Sequence, residues 1–391
     1  MASTQVSLPE NLPNSQTVAR LDIYVFRATV LKPVVTSFGT IPSRSSVLLR
    51  LTDNDGATGW GEIWGNFPTI TSEYRANLAA WALPELVLGQ TISAVSKFMA
   101  GVVEALKVLE VQSDEPGPIA GIAAGLDQAL WDLAARKAGL PLRTLLNSEA
   151  SNRVPAYASG LNPQDAVEVA EQSRQRGFRG FKLKIGFGDD IDTPNLERIT
   201  DGLGTGETLY ADANQRWSPE DAAAKLPTLE KFNLGWVEEP IRADQPAEAW
   251  RTVRTAATMP LAGGENLRGG TAFTEALEWL DFVQPDAGKL GGISGCHAIA
   301  VQALNAGRTY CPHWLSGAVG LMHSANLLAA AGGPGVLEMD VNENPIRDAT
   351  LDGAITLEDG AAVLPDTSGI GIDPDPAALA EWAVSHQNFQ S

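Results

Sequence analysis

The sequence predicts an α/β protein in which an α+β module precedes a closed barrel of alternating strands and helices. From Val154 onward, short apolar runs recur about every 20 to 30 residues, with amphipathic helical stretches between them. Such alternation forms a parallel sheet, and eight strand candidates are enough to close it into a barrel. The runs are VPAYASG, FKLKIG, TLYADAN, GWVEEP, PLAGGE, DFVQPDA, RTYCPHW and GVLEMD.

An open, doubly wound parallel sheet is the alternative fold. Sheets of that type that bind dinucleotides carry a GxGxxG turn between the first strand and the first helix. The chain has no such turn at that place, so the barrel is favoured over a nucleotide-binding fold.

The first part of the chain predicts an α+β module. RLDIYVFRA alternates as a strand does, SVLLRLTDNDGATGWGE is typical of a hairpin with an Asn-Asp-Gly turn, and GIAAGLDQALWDLAARKAGL predicts a long helix ended by glycine. The expected division is a flexible N-terminal tail over 1–17, the α+β domain over 18–140, the barrel over 141–340, and a segment over 341–391 that packs back on the first domain.

Composition excludes several classes of function. The 391 residues carry 47 acids against 28 Lys and Arg, a net charge of −19, which disfavours nucleic acid and anionic membrane surfaces as partners. No apolar run is long enough to cross a bilayer, and the polar N-terminus lacks the order of a secretory signal. Cys296 and Cys311 are too few for a disulfide framework, although a single bond between them is an open alternative. A cytoplasmic protein is therefore expected.

Ionisable side chains stand at the C-terminal ends of seven consecutive strand candidates. That end of a barrel is where active sites form, so the recurrence indicates one site although each residue alone has a simpler explanation. The residues are Lys182, Lys184, Asp212, Glu238, Glu239, Glu265, Asp286, His313 and Glu338.

Strand alternation predicts which of these side chains share a face. Lys182 and Lys184 point the same way, whereas Glu238 and Glu239 must diverge, so at most one of the two glutamates is expected to point into the barrel from a regular strand. Carboxylates that converge in a narrow mouth raise one another's pKa values, and a divalent cation relieves this. Ligands that are all oxygen suit Mg²⁺.

The motifs FKLKIG, LYADAN, WVEEP, GGE, PDAGKLGG and CPH, in that order, resemble the enolase superfamily and within it the mandelate racemase group. The resemblance runs from about residue 20 to 385. It implies a modified (β/α)₇β barrel, with an N-terminal capping domain that the C-terminal segment completes. It also implies removal, with the help of one Mg²⁺ per chain, of the proton next to a substrate carboxylate.

The resemblance also implies roles for matched positions. Asp212, Glu238 and Glu265 would bind the metal ion. Lys184 would be one general base, with Lys182 lowering its pKa from the usual value near 10.4, and His313, paired with Asp286, would be the opposing acid or base. Glu338 would donate to the substrate carboxylate.

Two reactions suit such a two-base site. His313 could protonate a departing hydroxyl, which gives dehydration of an acid sugar or hydroxy acid, and this lyase reaction is the expected one. The alternative is racemisation or epimerisation of a 2-hydroxy acid or related carboxylate. A catalytically silent metal-binding barrel is the alternative of another class.

Substrate recognition is expected from loops of the capping domain, since loops carry specificity on a rigid scaffold. The candidate contacts are Phe38, Ile41, Trp64 and Asn66, together with Asn214 beside Asp212. The partner is expected to be a small carboxylate, and the resemblance implies a homo-oligomer between dimer and octamer.

Overall fold

An antiparallel sheet with helices packed on it forms the first unit in the computed structural model, which describes residues 7–391. The strand order in this sheet is β15-β1-β2-β3, and β4 pairs with β1. The elements are β1 Gln16–Thr36, β2 Gly39–Asp53, β3 Thr58–Ile63, α1 Thr71–Ala82, α2 Pro84–Val87, β4 Thr91–Ile92, α3 Val95–Ser113, α4 Pro116–Ala138, α5 Leu142–Leu146 and, from the far end of the chain, β15 Ala383–Gln390.

The predicted N-terminal tail is described only in part. Residues 1–6 lie outside the described residues, Leu12 is buried, and β1 begins at Gln16. The boundaries assigned to the domains stay a prediction.

Helix α4 is the buried helix of the first unit. It lies so close to β3 that a Cβ atom at Gly61 would come within 2.0 Å of the Gly125 carbonyl oxygen, so a side chain there would force the helix away from the sheet. This contact fixes the position of β3, whose last residues lead towards the second unit.

Eight parallel strands and seven helices between them form the second unit. Neighbouring strands pair in chain order from β5 to β11, and β12 pairs with β5. The elements are β5 Arg153–Leu161, α6 Ala166–Gln175, β6 Gly180–Lys184, α7 Asp189–Asp201, β7 Thr208–Asp212, α8 Pro219–Lys225, β8 Val237–Glu238, α9 Ala247–Ala256, β9 Leu261–Gly263, α10 Gly269–Ala276, β10 Phe282–Val283, α11 Gly292–Asn305, β11 Thr309–Tyr310, α12 Ala318–Ala331 and β12 Leu337–Asp340. The order confirms the predicted (β/α)₇β barrel.

The barrel closes between its seventh and eighth strands. There the Val336 amide donates to the Sγ atom of Cys311 at 3.4 Å. Cys296 and Cys311 are both free, buried thiols, so no disulfide links them in this structure.

The last segment returns to the capping domain. After helix α13 (Pro345–Leu351), the hairpin of β13 (Thr356–Glu358) and β14 (Ala361–Val363) pairs with β5, and β15 then pairs antiparallel with β1. The C-terminal residues therefore complete the capping sheet, as predicted. None of the helices within residues 7–391 combines the length and the apolar character that a membrane span needs.

Glu62, near the end of β3, joins the capping domain to the barrel. Its backbone carbonyl and that of Ala287 both accept hydrogen bonds from the Gln128 amide, at 3.0 and 2.8 Å. Its buried carboxylate accepts four hydrogen bonds, from Ser46 Oγ, Ser316 Oγ, Gly317 N and Gly320 N. The loop after β11 is thus held by a capping-domain side chain.

His323 on α12 predicts a pH dependence of stability. It is buried, its Nε2 lies 2.8 Å from the Trp60 carbonyl oxygen, and burial lowers its pKa to about 3. The pKa in the unfolded chain is near 6.5, so below that pH the unfolded state binds the proton first and stability falls. Between pH 7.5 and pH 5 this residue should cost about 2 kcal/mol of unfolding free energy.

Urea unfolding of the wild type and of His323→Gln at pH 7.5 and 5.0 measures this cost. The glutamine cannot take up the proton, so the stability difference between the two proteins should shift by about 2 kcal/mol in favour of the variant at pH 5. An equal loss of stability in both proteins would show that the imidazole is not the titrating group.

Candidate active site

Strand β6 presents Lys182 and Lys184 to the barrel interior, where both are buried. Lys182 Nζ lies 2.8 Å from both carboxylate oxygens of Glu238 and 2.6 Å from Oε1 of Glu338. Lys184 Nζ lies 2.7 Å from Oδ2 of Asp212. The two lysines share one face, as the alternation predicts, and each is paired with carboxylates from other strands of the barrel.

Asp212 ends β7 and is held by the residue two positions on. The backbone amide of Asn214 donates to Oδ1 of Asp212 at 2.8 Å, and the Asn214 side-chain amide donates to Oδ2 at 3.1 Å. The backbone of Asn214 has φ 44°, a conformation that asparagine tolerates better than most residues. Its side chain therefore serves Asp212 in this structure, and its Oδ1 atom is buried without a partner.

Glu238 and Glu239 diverge, and both are buried. Glu238 faces Lys182 and also accepts from the Gln284 amide at 2.8 Å. Glu239 has φ 39°, and both of its carboxylate oxygens lie 3.0 Å from the Asn266 amide. The two glutamates diverge, as the alternation predicts, and the backbone turn brings the second one to the same mouth beside Glu265, which a regular strand end would not do.

His313 bridges two predicted site residues. Its Nδ1 atom lies 2.6 Å from Oδ2 of Asp286, and its Nε2 atom contacts the Glu265 carboxylate. The same Nε2 lies 3.9 Å from Oε2 of Glu338. The predicted pairing of His313 with Asp286 is thus present in the structure.

Glu338 on β12 lies between Lys182 and His313. Ser159 Oγ donates to its Oε1 at 2.5 Å, and the Trp314 amide donates to its Oε2 at 3.0 Å. Burial raises the pKa of Glu338, but the positive charges of Lys182 on one side and His313 on the other outweigh burial and lower this pKa to about 2. Its carboxylate is therefore ionised and accepts hydrogen bonds in the protein alone.

The charges in the mouth shift the pKa values of the lysines upward. Burial opposes the charged form of Lys184, and Lys182 also lowers its pKa, but Asp212 and Glu238 outweigh both and raise it. The pKa of Lys182 is raised well above its ordinary value by Glu238 and Glu338. Lys182 thus lowers the pKa of Lys184, as predicted, but in the protein alone the carboxylates outweigh this effect and the net direction is upward.

The acidic side chains divide into those whose pKa is raised and those whose pKa is lowered. Burial raises the pKa of Glu238 to about 7 despite Lys182, and burial together with Glu265 and Asp212 raises that of Glu239 well above its ordinary value. His313 and Lys289 hold the pKa of Glu265 well below its usual range in spite of burial. The mouth therefore carries more acidic groups than its cations can neutralise.

The same carboxylates raise the pKa of His313 to about 10, against the effect of burial. Glu265 and Glu338 contribute most, and the hydrogen bond to Asp286 adds to them. His313 is thus a proton donor in the protein alone, which suits a general acid.

The predicted metal ligands Asp212, Glu238 and Glu265 lie on three adjacent strand ends. Within residues 7–391, no three carboxylate, histidine or cysteine side chains converge closely enough to hold a metal ion, because Lys182, Lys184 and His313 occupy the carboxylates. The donor set is all oxygen and has an excess of acidic groups, which fits Mg²⁺. The assignment stays a prediction.

The loop residues predicted to contact substrate divide into two sets. Phe38, 54% exposed at the tip of the β1–β2 hairpin, packs against Phe67, and the adjacent Ser37 donates to the Ala213 carbonyl at 3.0 Å. The hairpin therefore reaches the mouth beside Asp212. Ile41, by contrast, is buried.

The second loop, after β3, reaches the mouth from another side. The buried Asn66 side chain donates to the Leu315 carbonyl at 3.0 Å, so it supports the loop after His313. Trp64 lies under the ammonium of Lys289, whose Nζ is 4.5 Å from the ring centroid. Trp64 is thus placed near the mouth, whereas Asn66 makes a structural contact.

Two groups in the mouth had no predicted role: Glu239 was named only as a strand-end residue, and Asn266 was not named. Glu239 and Asn266 lie beside Glu265, and Asn266 donates to both glutamates. Glu239 stands in the WVEEP motif and Asn266 directly follows GGE, so their positions in the motifs were available as a signal. Their mutual contact was not, since it depends on the left-handed backbone of Glu239.

Comparisons with known proteins place these residues in a family. A model described as mandelate racemase/muconate lactonizing enzyme, N-terminal domain, matches residues 20–147, and one described as enolase C-terminal domain-like matches residues 165–378. A solved structure of a mandelate racemase/muconate lactonizing enzyme from Bordetella bronchiseptica is 42% identical, covers 94% of this chain and 99% of that one, and superposes with a TM-score of 0.87.

Curated relatives carry several reaction names. D-galactarolactone cycloisomerase from Agrobacterium fabrum is 29% identical over 87% of this chain and 92% of that protein. L-talarate/galactarate dehydratase from Salmonella typhimurium is 37% identical over 48% of this chain and 49% of that protein. L-Ala-D/L-Glu epimerase from Bacillus subtilis is 25% identical over 91% and 96%.

Proposed function

The chain belongs to the mandelate racemase/muconate lactonizing enzyme family of the enolase superfamily, and from that premise we propose that it removes the proton next to a carboxylate and dehydrates an acid sugar or hydroxy acid. The relatives' names, which include a dehydratase, a cycloisomerase and an epimerase, confirm the expectation of an enzyme. The alternative of a catalytically silent metal-binding barrel is therefore not retained.

The observation that carries the proposal is the placing of two different proton-transfer groups around one mouth. Lys184 comes from the second barrel strand, and His313, with Asp286 at 2.6 Å, comes from the end of the seventh. Two strands, β5 and β12, lie between them on the shorter way around the barrel. A substrate held between them meets a base on one side and an acid on the other, which is what elimination of water requires.

The chain's own residues then divide the work. Lys184, once neutral, takes the proton from the carbon next to the carboxylate, and protonated His313 gives its proton to the departing hydroxyl oxygen. Asp286 holds the imidazole through Nδ1, so that Nε2 is the atom that transfers the proton. Glu338 is ionised in the protein alone, so it must take up a proton as the substrate binds before it can donate to the substrate carboxylate.

A Mg²⁺ ion would be held by Asp212, Glu238 and Glu265. It would supply Lewis-acid stabilisation of the charge that develops on the substrate carboxylate. One ion per chain is proposed, since these three ligands supply a single site.

Racemisation or epimerisation is the second candidate, because the same pair of groups could remove the proton from one face and return it on the other. The similarity to the epimerase over most of the chain favours keeping it. The product decides between the two reactions: a 2-keto acid forms only by dehydration, whereas racemisation leaves composition unchanged and alters optical rotation.

Exchange of the proton for deuterium tests the shared step. Incubation in D₂O with Mg²⁺ and a panel of acid sugars and 2-hydroxy acids should give exchange at the carbon next to the carboxylate of at least one acid, and EDTA should abolish it. A panel with no exchange at any acid, in the presence of Mg²⁺, would contradict the proposal.

The metal assignment predicts that Glu265→Gln weakens Mg²⁺ binding by at least about tenfold, since it removes one charged oxygen ligand. Calorimetric titration with Mg²⁺ measures the change. Glu278→Gln is the matched control, because Glu278 is exposed and pairs with Arg251 at the surface. Equal affinity in both variants would exclude Glu265 as a ligand.

A further inference from the structure

A cavity of about 520 Å³ lies beside the candidate site, between α3 and α4 of the capping domain and the loops that follow β9 and β10. Glu265 and Asn266 line it on the side of the barrel mouth, and Trp64 and Lys289 line it next to them. The cavity is therefore continuous with residues of the candidate site but extends away from the two proton-transfer groups.

The cavity is unusually cationic for this chain. Four of its lining side chains are positive and two are negative: Arg75, Lys107, Arg268 and Lys289 against Glu110 and Glu265. Lys107 and Glu110 pair with each other at 2.6 Å. The net charge of the cavity lining is therefore positive. Because the whole chain has a net charge of −19 and repels anions at long range, an anionic ligand must be attracted locally, by groups such as these.

Several donors in the cavity have no acceptor. The exposed Arg268 guanidinium makes no hydrogen bond or ion pair with any of residues 7–391. Arg75 donates one N–H to the Trp64 carbonyl, but its Nε is buried and unpartnered, as is Nε1 of Trp64. Buried donors without acceptors are costly, and an anion would satisfy them.

Three helices begin at this cavity. Their first turns lie at Pro116 of α4, Gly269 of α10 and Gly291, which precedes α11. Unpaired amide groups and the positive end of the helix dipole both favour an anion at such places. These helix ends add positive potential to that of the cationic side chains, whose charge is the larger contribution.

The distances connect this charge to the reacting end of a substrate. Lys289 Nζ lies 3.5 Å from the Glu265 carboxylate and 4.5 Å from the Trp64 ring centroid, and the Arg75 guanidinium carbon lies 5.4 Å from the same ring. A ligand whose first carboxylate lies at the mouth can thus place a second anionic group here. Leu106, Ile119 and Leu267 offer an apolar wall for the carbon chain.

We propose that this cavity binds the second carboxylate of a dicarboxylate substrate, with Arg268, Arg75 and Lys289 as its partners. The inference rests on the proposed function, because it assigns the far end of the same substrate. It makes Arg268 a residue that determines specificity without contact to the reacting carbon.

Calorimetric binding with Mg²⁺ in the Lys184→Ala background, where turnover is prevented, tests the proposal. The probes are two matched pairs, galactarate with galactonate and adipate with hexanoate; the second pair has no stereocentres. At least one diacid should bind tenfold or more tightly than its monoacid. Arg268→Gln should remove most of that preference, Arg268→Lys should keep most of it, and Arg251→Gln, which removes a surface charge elsewhere, should leave it unchanged.

The outcomes separate this proposal from the function it rests on. If neither diacid binds more tightly than its monoacid, or if the preference survives both Arg268→Gln and Arg75→Gln, the subsite is refuted whatever the exchange assay shows. If the preference is present and depends on Arg268 while no acid exchanges its proton, the subsite stands and the proposed reaction falls. Arg268 is exposed, so its replacement should leave the fold intact.

Discussion

Lys184→Ala is expected to slow proton removal by about a thousandfold, since a positioned general base contributes roughly 10²–10⁴ to the rate. His313→Asn is expected to lower formation of the 2-keto product to a similar degree while exchange of the substrate proton persists, because dehydration uses His313 only to expel the hydroxyl. Deuterium incorporation followed by NMR, alongside assay of the keto product, measures both effects.

The pattern across the two variants identifies the reaction. If His313→Asn instead loses exchange with one enantiomer of a 2-hydroxy acid and keeps it with the other, the site is that of a racemase. Lys231→Ala is the control, since that lysine is exposed and pairs with Glu197 at the surface. Full exchange activity in Lys184→Ala, with an unchanged circular dichroism spectrum, would show that Lys184 is not the base.

Glu62→Ala is expected to lower the unfolding free energy by about 3–5 kcal/mol, because it removes the shared acceptor of four buried hydrogen bonds. Activity of the folded fraction should fall as well. Gly317, which donates to Glu62 at 2.7 Å, accepts from the Trp314 indole at 2.7 Å, and Trp314 directly follows His313. Denaturant unfolding and kcat measure the two effects.

Glu278→Ala, which removes a surface carboxylate of the same size, should change stability by no more than about 0.5 kcal/mol. If Glu62→Ala were no more destabilising than this control, the four hydrogen bonds would contribute nothing to joining the capping domain and the barrel. A loss of stability with unchanged kcat would show that the loop after β11 keeps its position without Glu62.

Strand-end residues were predictable because their placement follows from local rules. Alternation puts Lys182 and Lys184 on one face, and the C-terminal ends of parallel strands meet at one mouth, so the gathering of Asp212, Glu238 and His313 there needed no coordinates. The pairing of His313 with Asp286 came from family resemblance and is present at 2.6 Å. Homo-oligomeric assembly and cytoplasmic location stay predictions.

The sequence predicts that Lys182 lowers the pKa of Lys184, and it does, but the upward net shift in the protein alone could not be predicted from the sequence. The sequence places one ammonium two residues away, but the carboxylates that outweigh it come from β7 and β8 and are far along the chain. A pKa depends on the sum over all near charges together with burial, and that sum is defined only once the strands are side by side.

The sequence by itself determined the order of strands and helices and the set of ionisable groups at the barrel mouth, because both depend on short-range periodicity. Only the tertiary structure decided which groups touch, such as Glu239 with Asn266 and Glu62 with the loop after β11, and that Arg268 lines one cavity with the start of α4. These contacts join residues between 27 and 258 positions apart. Spacing along the chain carries no information at that range, since chain folding and side-chain packing bring the partners together.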